Sequence, residues 1–204
     1  EYKNNMFQNI SHELKTPIAV ISSYVEAAND KVISYEEAIV TIDDEIKILA
    51  DDVNKILEIN KINYLKENNE YKDEQVDITK LLKDLVKKYK LQRQDIKWTL
   101  DIEKKNILRG TLDTWKVIID NIFGNFVVYA KSNIKVTIKD GRVQFYNDGA
   151  HVEDDLIKDI FTQYKKGIKG KFGLGLSIVK QSLNLYNYDI KVSNQEVGVL
   201  FEIE

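Results

Sequence analysis

Along the first thirty residues, apolar side chains recur three and four apart, at Phe7, Ile10, Leu14, Ile21, Val25 and Ala28. That is the period of a helix with one buried seam, and it predicts a helix from the start of the chain to about Asn29 or Asp30. After a short turn, Ser34 and Glu37 form the Ser-x-x-Glu capping box that opens a second helix. Beyond it Ile39, Ile42, Ile46, Leu49, Val53 and Ile56 alternate spacings of three and four without a miss, which is a heptad seam. Past Ile56 the register lapses. Asn60 and Asn63 take the next seam positions while Ile59 and Ile62 carry the apolar face, so the bundle is expected to loosen or end there. Two helices bury only one side of each. A homodimeric four-helix bundle would supply the missing partners, and pairing with the C-terminal part of the same chain is the alternative.

The polar run Asn68 to Glu74 reads as a linker between residues 1–67 and 75–204. Beyond it the period changes. Thr79 to about Lys90 carries the helical stripe Leu81, Leu82, Leu85, Val86 and Tyr89, and Ile96 to Ile102 alternates as a strand does. Asp113 is placed to cap an apolar helix that runs through Ala130. Ile134 to Ile138 and Arg142 to Tyr146 alternate on either side of Asp140-Gly141, a tight-hairpin signal. Gly173 to Tyr186 reads as helix, and Asp189 to Glu204 as two closing strands around Glu196-Val197-Gly198. The expectation is an α+β chain: a helical hairpin, then a largely antiparallel sheet with helices on one face.

Composition narrows the function. In 204 residues with 43% apolar and 31% charged side chains, a formal charge of −3 provides no basic stripe for nucleic acid. Without cysteine there is neither a disulfide framework nor a thiolate metal site, and two distant histidines do not make a zinc site. No apolar run reaches the ~18 residues of a membrane span. The chain opens on Glu1-Tyr2-Lys3, already in helical pattern and without Met. It is therefore expected to be the cytoplasmic part of a longer protein, with any membrane anchor in a segment outside this chain.

His12 lies beside Glu13 and five residues before Pro17, the single proline. At about 100° per residue it falls roughly opposite the apolar seam, so the imidazole faces water, with Thr16 one turn on. A neutral imidazole is a nucleophile, and Glu13 can accept a hydrogen bond from the ring nitrogen that does not attack. Pro17 lacks an amide hydrogen and leaves the Glu13 carbonyl without its helical partner.

A second cluster holds five of the nine glycines, between Gly149 and Gly175. It ends in Phe172-Gly173-Leu174-Gly175-Leu176, where glycines run into an apolar helix whose first amides can meet phosphate oxygens. The basic segment Gln163 to Lys171 precedes it and could close over a polyphosphate. Asn121 and Asn125 share one helix face, and a carboxamide oxygen suits magnesium.

With these residues in view, the chain resembles the bacterial sensor histidine kinases. Ser11-His12-Glu13-Leu14-Lys15-Thr16-Pro17 matches the family's phospho-acceptor box, and Asn121 to Tyr129 resembles its asparagine box. Asn147-Asp148-Gly149 and Phe172 to Leu176 resemble its two glycine boxes, and Ile160-Phe161 its phenylalanine box. The resemblance implies a dimeric phosphotransfer hairpin followed by an α/β-sandwich ATP-binding domain of the gyrase and heat-shock chaperone type. It implies ATP and Mg²⁺ as the nucleotide and metal, and the receiver domain of a response regulator as the partner. His12 would attack the γ-phosphorus, Glu13 would orient or deprotonate it, and Thr16 would position a water for dephosphorylating the regulator. Asn125 would hold magnesium, with Asn121 near the phosphates and Tyr129 flanking the nucleotide. Asn147 would face the adenine amine, and Gly149 and Val152 would shape that pocket. Gly173 and Gly175, with Leu174 and Leu176 beside them, would let backbone approach the phosphates, and Lys166 would neutralise charge. The chain departs from the pattern at Asn147, where the family has aspartate, at His151 and Lys171, where it has glycine, and at Phe126 and Val128. A nucleotide site altered in this way leaves two readings open: a kinase, or a phosphatase and docking module. A gyrase-type ATPase would leave the acceptor box unexplained.

Overall fold

The computed structural model describes residues 2–162 and 173–204, with the helix path alone for residues 2–9 and 13. It divides into two compact units, Glu1–Glu58 and Ile59–Glu204.

In the first unit α1 spans Tyr2–Asn29, and α2 (Tyr35–Asn68) begins there and runs on into the second. The capping box closes as expected. Ser34 Oγ accepts the Glu37 amide at 3.1 Å while Glu37 Oε2 accepts the Ser34 amide at 3.1 Å, so two donors that the helix start would leave unpaired are satisfied. The heptad seam separates into two rows. Ile42, Leu49 and Ile56 are half-buried, whereas Ile39, Ile46 and Val53 on α2, with Ile18 and Val25 on α1, are each 40–63% exposed. Within this unit alone, an apolar row at seven-residue spacing faces solvent. Past Ile56 the helix continues without interruption, and its buried residues become Ile59 and Ile62, the switch the sequence predicts.

The second unit is two layers. β2 (Lys97–Ile102), β4 (Asn133–Lys139), β5 (Arg142–Asn147), β6 (Ile190–Asn194) and β7 (Val199–Ile203) form one sheet in the order β2-β4-β5-β7-β6. A separate two-stranded ribbon joins β1 (Gln75–Asp77) to β3 (Ile107–Arg109). The helices are α3 (Thr79–Gln92), α4 (Leu112–Tyr129), the short α5 (Asp154–Ile157) and α6 (Gly175–Asn184). Register explains the core: Leu100, Val136, Phe145, Phe201 and Val192 are successive cross-strand partners, one apolar row across all five strands. Against this row α4 lays Trp115, Ile118, Ile119, Ile122, Phe123 and Phe126, all buried. Phe123 meets Trp98, Tyr89 and Phe145 edge-on, with ring centroids 4.9, 5.7 and 5.9 Å away. Asp120 ties α4 to α3 through Lys88 at 2.9 Å and the Tyr89 hydroxyl.

Three details differ from expectation. α4 is capped by Thr111, whose Oγ1 accepts the Thr114 amide at 3.1 Å; Asp113 lies in the first turn, where its charge still complements the helix dipole. β2 and β4 run parallel, a relation hairpin signals do not report because α4 lies on the connection between them. The ribbon strands have three residues each, too few for alternation to register. The Asp140-Gly141 turn is as expected, with φ of +51° and +76° as a type I′ turn requires.

Removing the Phe123 ring should leave a cavity the aromatic cluster cannot fill. Phe123→Ala is expected to cost about 3–5 kcal/mol, read as a lowered denaturant midpoint at unchanged slope.

Candidate functional site

On α1, His12 is exposed, as its position opposite the seam predicts, and Pro17 is buried. The Thr16 hydroxyl donates to the His12 carbonyl at 3.3 Å, so Thr16 is engaged with the backbone of the turn that carries the imidazole. Glu13 lies on the same helix, but its side chain is outside the described residues.

In the second unit, α4 presents its polar edge beside the start of α6. Asn121 Nδ2 donates to the Val117 carbonyl at 2.8 Å, which fixes the amide and turns its oxygen toward α6. A Cβ at Gly175 would lie 2.9 Å from that oxygen, so any other residue there would push the Asn121 amide out of this position. Gly173 sits at φ +67°, the left-handed bend that leads into the helix. Leu174 is fully buried, its carbonyl accepting the Ser177 hydroxyl at 2.8 Å, and Leu176 packs on the core. Among the described residues no side chain caps the first turn of α6, and amides at a helix start of this kind can meet an anion. One turn beyond Asn121, Asn125 is half-buried, and among the described residues no hydrogen bond engages its amide.

At the far end of α4, the backbone at Tyr129 abuts the end of β5. A Cβ on Gly149 would fall 2.5 Å from the Tyr129 carbonyl oxygen and 2.6 Å from Asn147 Oδ1. Asn147 is 4% exposed, and its Oδ1 accepts the Gly149 amide at 2.9 Å. The oxygen expected to face a base is thus engaged within the loop. Asp148 takes the amides of Lys131 and Ser132 at 2.9 and 3.0 Å and the Ser132 hydroxyl at 2.7 Å. Burial would raise its pKa, but these donors outweigh it and hold the carboxyl down at about 2.

Several supports were not signalled by sequence. Val152 is clamped to Asn194, whose Oδ1 accepts the Val152 amide at 2.9 Å and whose Nδ2 donates to the Val152 carbonyl at 2.8 Å. Gly198, at φ +83°, lies directly against the Asn147 carbonyl, where a Cβ would overlap it. Arg93 donates to the Val127 carbonyl at 2.7 Å and so caps the last turn of α4 while pairing with Asp95. All three are long-range contacts with no local pattern. His151 is exposed, and Phe161 packs edge-on to Phe201. Lys166, Lys171, Phe172 and the basic segment from Gln163 lie outside the described residues.

Among the described residues no group of three or more His, Cys, Asp or Glu could hold a metal. The Asn125 carboxamide oxygen, free of a hydrogen bond among the described residues, is a hard donor of the kind a magnesium ion would take. Among the described residues no helix is long and apolar enough to cross a membrane.

Residues 2–65 match the His Kinase A (phospho-acceptor) domain, and residues 110–204 match the histidine kinase-, DNA gyrase B- and HSP90-like ATPase family. The sensor histidine kinase CssS of Bacillus subtilis (strain 168) is 31% identical over 210 residues, covering all of this chain and 46% of that protein. The chain thus spans less than half the length of this relative. Among solved structures, Acinetobacter baumannii histidine kinase AdeS superposes with a TM-score of 0.76 at 18% identity, over 94% of this chain and 95% of that one. Histidine kinase ThkA in complex with response regulator protein TrrA gives 0.69 at 19% identity, over 98% of this chain and 60% of that one.

Asp148 links the turn after α4 to the end of β5 through a carboxylate whose pKa is depressed. A lowered folded pKa contributes stability that is present above the unfolded value near ~3.9 and lost as pH falls toward about 2. Asp148→Asn should therefore lower stability at neutral pH by on the order of 1 kcal/mol after allowing for solvent screening, and should flatten the loss between pH 4 and 2. Urea unfolding of both proteins across that range checks it.

Proposed function

The chain belongs to the bacterial sensor histidine kinases, and on that premise we propose that it is the phosphotransfer and ATP-binding core of such a kinase. One observation carries the reading. A single chain joins an exposed His12 ahead of Pro17 to an α6 start that approaches Asn121 through Gly175 and that no described side chain caps.

A ring nitrogen of His12 attacks the γ-phosphorus of ATP, a P–N bond forms as the bond to the β,γ-bridging oxygen breaks, and ADP leaves. A receiver-domain aspartate of a response regulator then takes the phosphoryl group, regenerating the imidazole. The solved complex of a structural neighbour with a response regulator supports that partner. Glu13 orients the imidazole or takes its proton, and Thr16 serves the reverse task of positioning water for dephosphorylation. The first amides of α6, freed by Gly173 and Gly175 and flanked by Leu174 and Leu176, receive the phosphates, with Asn121 alongside and Lys166 adding positive charge. Asn125 holds Mg²⁺, which supplies charge neutralisation on the phosphates. Tyr129, Gly149 and Val152 wall the base pocket, with Asn147 at position 6 of the purine. Transfer of this kind asks the protein for alignment and compensation of charge more than for covalent chemistry.

The open apolar row supports dimerisation. Covering Ile39, Ile46 and Val53 with a second copy completes a four-helix bundle, and it supplies the partner that two helices lack. The domains are then the hairpin, residues 1–67, a linker, 68–74, and the ATP-binding domain, 75–204. We assign the chain to the cytoplasmic side of a membrane-anchored parent.

Two measurements test this. With γ-labelled ATP and Mg²⁺ the chain should acquire acid-labile label. Label should vanish in His12→Ala and fall roughly 10²-fold or more in Asn125→Ala. No label in the parent chain, with accelerated phosphate loss from a phosphorylated regulator, would favour the phosphatase reading instead. Independently, replacing Ile46 and Val53 together by Glu should convert a dimer to a monomer in sedimentation equilibrium. An unchanged mass would reject the bundle interface.

A further inference from the structure

Asn147 is the polar residue most deeply set at the end of β5, and its amide has a defined direction. A backbone N–H can only donate, so the side-chain atom 2.9 Å from the Gly149 nitrogen is the carboxamide oxygen and the opposite end is the NH₂ group. Among the described residues Nδ2 donates to nothing. Trp98 Nε1 is the one described side-chain nitrogen or oxygen sealed from solvent without a partner, so Nδ2 opens onto accessible space although the residue as a whole is 4% exposed. An unpaired donor that opens onto space from an otherwise buried residue is placed to meet an acceptor on a ligand.

This bears on the base, and it rests on the reading above that Asn147 meets position 6 of the purine. A 6-amino group would present donors to a donor. A 6-oxo group presents the acceptor that Nδ2 lacks, whereas an aspartate here would be acceptor-only and would select the amine. We propose that Asn147 is a specificity-determining residue and that the site accepts a 6-oxopurine nucleoside triphosphate at least as well as ATP. The phosphate end of the site is indifferent to this exchange, because Gly175, Asn121 and Asn125 lie on a different part of α4 and on α6.

The test is equilibrium binding of ATP and ITP, which differ at position 6 and in the N1 proton, in the presence of Mg²⁺ to the chain and to Asn147→Asp. The carboxylate retains an acceptor for the Gly149 amide, so the variant keeps the loop. The chain should bind ITP as tightly as ATP or more so, and Asn147→Asp should shift the ratio toward ATP on the order of tenfold. An ATP preference of that size in the parent chain, or a ratio the substitution leaves unchanged, overturns the inference while the nucleotide site stands. Binding of neither nucleotide by the parent chain overturns both. The ratio in the parent chain decides the matter even if the variant fails to fold.

Discussion

The packing of α4 on the sheet governs the second unit. Trp115, Ile118, Ile119, Ile122, Phe123 and Phe126 must all face the apolar row from Leu100 to Val192, and a helix admits only one rotation that achieves it. That rotation sets Asn121 and Asn125 half-covered at the edge of the buried face, with the Asn121 amide beside the start of α6. Turning the helix by one residue would bury both amides and expose Phe123. The interaction that holds the fold together therefore also aims the polar groups, and the site needs no separate scaffold.

Close backbone approach is the second constraint, and glycine is its instrument. At Gly149 a methyl group would strike the Tyr129 carbonyl, so the segment after β5 can lie against α4 only without a Cβ, and at Gly175 it would displace the Asn121 amide. The adjoining segments are fastened by polar clamps. Asp148 gathers the amides after α4, and Asn194 holds Val152 from both sides. On the proposed reading two requirements meet at Asn147, which satisfies the Gly149 amide and leaves a group for a ligand. Its carboxamide has an acceptor oxygen at one end and two donor hydrogens at the other, so turning the oxygen toward the Gly149 amide turns the donors away from it.

The hairpin helices, the β4–β5 turn and the apolar face of α4 were legible in the sequence because each is a local pattern repeated over many residues. The capping box at Ser34 and Glu37 was legible to the atom. Short range also explains the misses. Thr111 and Asp113 are both competent caps, and only the backbone path distinguishes them. The three-residue strands lack a period to read, and the parallel pairing of β2 with β4 is decided by a helix between them. At the site, sequence picked out Asn121, Gly149 and Gly175 as residue types suited to the chemistry. It missed Arg93 and Asn194, and it read Gly198 only as a turn residue, because nothing in their own neighbourhoods indicates the Val127, Val152 and Asn147 backbone they lie against.

The two units divide the chemical work unequally. Around His12 the described environment is spare: an exposed ring, a buried Pro17 and a Thr16 hydroxyl resting on the turn's carbonyl. Constrained glycines, inward-turned amides and clamped loops are all in the other unit. On the proposed reading this asymmetry follows from what the reaction requires. The imidazole must be reached in turn by a nucleotide and by a regulator, and a nucleophile enclosed for one would be closed to the other. Alignment is instead built around the phosphates, whose charge and in-line geometry set the barrier. An exposed acceptor is thus a functional requirement of a group that is handed on, and the rigidity it lacks is supplied by the fold around α4.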